Sequence, residues 1–88
     1  MNVVEITSSA EVSSIPAFIN AVILVSSTAI SEAVLDDSSD GTGDTKIRVK
    51  SPANDSKVVF LGEKGVVFST AVYATLSGTG AKLYVFYR

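Results

Sequence analysis

Along the chain, short runs of β-branched and aromatic residues alternate with clusters of Ser, Thr, Gly, Asp and Pro, and nowhere does apolarity recur at helical spacing. Val3, Val4 and Ile6 make a short strand at the N-terminus, followed by a polar stretch over residues 7–14 that reads as an arm or a loosely held edge. Pro16 biases Ile15 away from the helical region. From Phe18 to Ser26 the chain is almost continuously apolar, with Asn20 the exception, which is the pattern of a strand buried on both faces. A short buried helix through the same run is the competing reading; β-branched content and strand-forming neighbours favour the strand.

Beyond a Ser-Ser-Thr turn, residues 30–35 form another strand that ends in an acidic, glycine-containing surface loop over residues 36–44. Lys46, Ile47, Arg48, Val49 and Lys50 alternate cleanly, three cations against two aliphatics, as in a half-exposed strand. Further strands are expected at residues 57–61 and 66–68, the first preceded by a turn at 51–55 and the second by a Gly-Glu-Lys-Gly loop. The closing stretch, residues 71–87, reads as a β-hairpin about Gly78-Thr79, a Gly-X order suited to a type II′ turn. That turn pairs Val72 with Val85, Ala74 with Leu83, Tyr73 with Tyr84 and Thr75 with Lys82, leaving one aliphatic side and one side of rings and a cation. The whole predicts an all-β fold: a small β-sandwich or barrel of about five to seven antiparallel strands, with residues 1–14 as an extended N-terminal arm and 15–88 as a single β domain.

At 88 residues the chain supports one small core, yet 47% of it is hydrophobic and its mean hydropathy is +0.39. That is more apolar material than so small a core readily hides, so self-association or docking on a larger surface is expected. The formal charge of −2 and the scattered cations argue against nucleic acid as main partner. No cysteine is present to form a disulfide or a thiolate site. The longest apolar runs fall well short of a membrane helix, and the N-terminus has no basic lead into an apolar run, so the chain reads as soluble and unprocessed.

Candidate chemistry is sparse. Asp36, Ser38 and Asp40 before Gly41 match the first half of a calcium loop, but its twelfth position is Ile47 where a bidentate Glu is required. Asp and Ser side chains bonding a long connection are the plainer explanation, and no metal or other cofactor is expected. With no His and no Cys, and with Asp36 and Asp37 pointing apart if extended, no acid–base pair or activated nucleophile is evident, and the chain reads as non-enzymatic. Gly41-Thr42-Gly43 and Gly78-Thr79-Gly80 are turns rather than phosphate loops. The Lys46, Arg48, Lys50 stripe guards an edge against strand pairing, or docks on an acidic protein surface. Tyr73, Tyr84 and Phe86, with Lys82 and Arg88 at the ends, either pack within the fold or form an interface.

A strand ending in Asp before a Ser/Gly/Thr-Gly loop, then alternating strands, Gly65-Val66-Val67-Phe68, and the Leu76-Ser77-Gly78-Thr79-Gly80-Ala81 approach to an aromatic last strand ending in Tyr87-Arg88, resembles the small all-β structural proteins of tailed bacteriophages. Those proteins decorate or cement the capsid, or sit at head and tail connections. The resemblance implies a non-enzymatic virion protein, assembled in the host cytoplasm, that forms dimers or trimers and binds between copies of the major capsid protein to stabilise the shell. On that reading the contacting residues are Val3, Val4 and Ile6 of the arm and Tyr73, Lys82, Tyr84, Phe86 and Arg88 of the aromatic side. Two alternatives stand beside it: a carbohydrate- or receptor-binding β-module of a tail or fibre displaying Tyr73, Tyr84 or Tyr87, and a calcium-dependent adhesion domain using Asp36, Asp40 and Asp44.

Overall fold

The computed structural model describes residues 2–88; Met1, the first residue of the expected arm, lies outside them. Nine strands make up the ordered elements of the described residues: β1 (Asn2–Ile6), β2 (Ala10–Ser13), β3 (Ala17–Val25), β4 (Ser31–Asp37), β5 (Asp44–Ser51), β6 (Ser56–Phe60), β7 (Val66–Phe68), β8 (Val72–Ser77) and β9 (Lys82–Tyr87). They form two antiparallel sheets. Sheet A runs β1-β9-β3-β6, with β7 also on β3, and sheet B runs β2-β8-β4-β5. This is the all-β sandwich that the strand and turn pattern predicts, and residues 17–25 are a strand, not a helix.

Consecutive strands mostly change sheet. β1 and β2, β3 and β4, β5 and β6, and β8 and β9 each divide between the two sheets and hold corresponding places in the two strand orders. The local within-sheet hairpin is β4–β5, whose register runs from Ser31 opposite Ser51 to Asp37 opposite Asp44. The expected C-terminal hairpin is therefore corrected: β8 pairs with β2 and β4, while β9 pairs with β1 and β3.

Residues 78–80 form an arch between sheets, and the reason lies in its glycines. Gly78 sits at φ 108° and Gly80 at φ 75°. A Cβ on Gly78 would stand 2.7 Å from the Ile30 carbonyl oxygen, and one on Gly80 would stand 2.9 Å from Ser27 Cβ. The glycines thus let the arch settle against the β3–β4 connection, a need that a two-residue hairpin turn shares in composition but not in geometry.

The alternation within each arm survives this rearrangement. Val72 and Ala74 of β8, and Leu83 and Val85 of β9, all point inward and join one core, so the aliphatic sides meet across the sandwich rather than across a hairpin. Ile19, Val22 and Leu24 of β3 and Leu35 of β4 are fully buried in the same core, and Phe68 from β7 fills its end. Each such side chain contributes about 1.5–3 kcal/mol on burial.

Asn20, the one polar residue in the apolar run of β3, marks a bulge: the register with β9 shifts between Ile19 and Ala21. Its Nδ2 donates to the carbonyls of Gly62 (3.2 Å) and Glu63 (2.9 Å), and Leu61 N–H donates to the Asn20 carbonyl (2.8 Å). The loop held this way carries the chain from β6 to β7 along one edge of β3. Within the stretch expected as an arm, Asn2–Ile6 and Ala10–Ser13 supply an edge strand to each sheet.

Candidate interaction surface

Because side chains alternate along a strand, the buried set of sheet A fixes what its other face displays. Register aligns Val3, Phe86, Ala21 and Phe60 in one row across β1, β9, β3 and β6. The next row is Glu5, Tyr84, Ile23 and Val58, and the one beyond it Lys82, Val25 and Ser56. At the other end Phe18 lies opposite Val67. Seven large hydrophobic side chains are exposed among the described residues; five of them (Val3, Phe18, Val58, Phe60 and Val67) stand on this face, and Ile15 and Ile30 lie in connections. Phe60 is 72% exposed and Val58 65%.

Polar atoms on this face are few. The Tyr84 hydroxyl donates to Glu5 Oε2 at 2.6 Å, fastening β1 to β9. That bond to the Glu5 carboxylate, with smaller contributions from desolvation and from the negative charge itself, raises the Tyr84 phenol above its ordinary value. Arg88 lies over the Phe18 ring, 5.5 Å from its centroid, and donates through Nη2 to the Glu63 carbonyl at 2.8 Å. Charge is confined to Glu5 at one edge and to Lys82 and Arg88 at opposite ends.

Sheet B presents the opposite character. Its outer face carries Lys46, Arg48 and Lys50, all exposed on β5, beside Glu32, with Thr75 and Ser77 on β8. Arg48 Nη1 lies 3.6 Å from Glu32 Oε2. Half-buried Val34 is the aliphatic position in the middle of these charges.

The residues expected to act together are thus divided. Val3, Lys82, Tyr84 and Phe86 share the outer face of sheet A, with Arg88 at its end. Val4 is half-buried against the core and Ile6 is part of it, so these two point away from any partner on that face. Tyr73 lies on sheet B, where the Gly41 backbone rests on its ring; a Cβ there would come within 3.0 Å of Cδ1. Tyr87 packs against the core. Tyr73, Tyr84 and Tyr87 therefore form no common platform. The prominent members that sequence reasoning missed are Phe18, Val58, Phe60 and Val67; the signal for them was the apolar character of β3 on both faces, which implies apolar neighbours on its outer side.

The acidic loop is spent on local bonds. Asp36 Oδ1 accepts from Thr45 Oγ1 at 2.7 Å. Asp37 turns the other way and accepts from Thr70 N–H (2.8 Å), Ser69 N–H and Oγ (both 3.0 Å) and Ala71 N–H (3.3 Å), anchoring the β7–β8 connection. The bond from the Thr70 amide, reinforced by those from Ser69 and Ala71, holds the Asp37 carboxyl down to about 2. Asp40 Oδ1 accepts from Thr42 Oγ1 (2.6 Å) and N–H (3.1 Å), which lowers its pKa too. Among the described residues no three of His, Cys, Asp and Glu converge to hold a metal. An open groove of about 330 Å³ between the ends of the sheets is lined by Ile30, Lys50, Ser51, Pro52 and Lys57, without a carboxylate or a tyrosine. No family model, curated protein or solved structure matches the chain.

Proposed function

We propose that this chain is a non-enzymatic building block of a larger assembly, and that the outer face of sheet A is the surface it buries there. The observation that carries the reading is the concentration of exposed hydrophobic side chains on that one face. An apolar surface of this extent is costly to leave in water and is the usual mark of a contact site. The strand and turn resemblance gives the reading its specific form: a capsid decoration protein of a tailed bacteriophage, bound between major capsid protein subunits and resident in the virion. Many copies, each weakly held, would tie neighbouring subunits together by multivalent attachment.

Co-sedimentation with tail-free heads that lack the protein tests this. Saturable binding at a regular multiple of the capsid subunits supports decoration. Absence of binding to intact, matched heads would shift the assignment to a tail or receptor-binding role.

A further inference from the structure

Sheet A is apolar on both of its faces, yet only its inner face is covered. β3 makes the point: Ile19, Val22 and Leu24 are fully buried, while Ala21, Ile23 and Val25, on the other side, are only half-buried and lie among the exposed Val58 and Phe60 and the half-buried Phe86. This is the composition of a sheet in the interior of a stack of layers. Resting on the reading of this face as a buried contact, we propose that its occupant is a second copy of the same chain, packed face to face so that the layers run B-A-A-B.

Area and charge both favour a second copy. Four strands at the ordinary spacing, over roughly six residues each, present about 400 Å² of flat face, and more once side-chain relief is counted. Two such faces together would bury about 800 Å² as flat surfaces and on the order of 1,000 Å² with that relief, the size expected of a specific interface. The face has an almost uncharged centre and carries both signs at its margins, Glu5 against Lys82 and Arg88. A surface built for a strongly acidic or basic partner would carry one sign; this one is suited to its own copy.

With both A faces buried, the two B faces point outward on opposite sides into solvent, each displaying Lys46, Arg48 and Lys50 beside Glu32 and Glu11.

Sedimentation velocity of the full chain across a concentration series, alongside Phe60→Lys and Arg48→Glu, tests the proposal. Phe60 is 72% exposed on the edge strand β6, so the lysine can be accommodated in the folded monomer, and circular dichroism of each variant confirms that it is folded. The expected result is reversible formation of a species with twice the 9.2 kDa monomer mass, weakened at least tenfold by Phe60→Lys and left within twofold by Arg48→Glu. A chain that stays monomeric through the high-micromolar range would overturn it, as would a dimer indifferent to Phe60→Lys or an assembly with other stoichiometry. If the wild type is monomeric but binds heads through a surface that Phe60→Lys destroys, the dimer fails while the assembly reading stands. If the dimer forms and heads are not bound, the reverse holds.

Discussion

The two outer faces of this sandwich are built on the same backbone plan and solve opposite problems. On sheet B, the positions that point away from the core carry Lys46, Arg48, Lys50, Glu32, Thr75 and Ser77, with Arg48 and Glu32 close enough to pair. That is how an antiparallel sheet ordinarily meets water. On sheet A the equivalent positions carry Val3, Phe86, Phe60, Ile23, Val58 and Val67. The inner faces of both sheets are equally aliphatic, so core formation does not account for the difference. What distinguishes the sheets is the environment each outer face is made for: solvent for one, a partner for the other.

The largest effects should come from the shared interior, which sets a scale for the faces. Leu83→Ala removes a fully buried side chain from β9 and should cost about 2–5 kcal/mol in denaturant unfolding. Gly78→Ala should cost more than about 1 kcal/mol, because the added methyl meets the Ile30 carbonyl at a positive φ. On the outer face of sheet A the expectation separates folding from association. Tyr84→Ala should reduce assembly more than it reduces stability of the isolated domain, and equal losses in both would mean that the face matters only to the fold.

Asp37 provides a pH test away from both faces. Its carboxyl titrates at about 2 in the folded chain against an ordinary 3.8, so the carboxylate contributes stability that is present above the ordinary value and is lost as pH falls toward 2. Asp37→Asn should lower the melting temperature at neutral pH and flatten its fall over that acid window; an unchanged acid profile would refute the anchoring role. The smallest effect belongs to sheet B, where breaking the exposed Arg48–Glu32 pair by Arg48→Ala should change stability by no more than about 1 kcal/mol.

How far these features could be read in advance follows from the range of the interactions behind them. Alternation is local, so the inward positions of β5, β8 and β9 and the cationic stripe of β5 were legible from residues 46–50 and 72–85. Pairing is not local. Ser77-Gly78-Thr79-Gly80 has the composition of a tight hairpin, but Gly78 is required by the approach of Ile30 and Ser31, nearly 50 positions earlier, which no reading of the turn itself could supply. The aromatic residues were placed on one side for the same reason: with the hairpin opened into an arch, Tyr73 and Tyr84 fall on opposite faces of the molecule. Asn20 looked like an interruption in a buried strand and is the staple for the 62–65 loop, a partnership spanning more than 40 residues. The apolar outer face was half visible. The continuous run in β3 implied burial on both sides, but which strands would flank it, and hence that Phe60 and Val58 would extend its outer side, depended on topology.

Methyl accessibility to a soluble paramagnetic probe, measured by NMR on dilute, concentrated and head-bound protein, tests the central claim most directly. The account predicts that Val3, Ile23, Val58 and Val67 methyls are reached by the probe in dilute solution and become protected in the concentrated or bound state, while Val34 on sheet B keeps its accessibility. Sheet A methyls equally accessible in every state, or protection confined to sheet B, would contradict it.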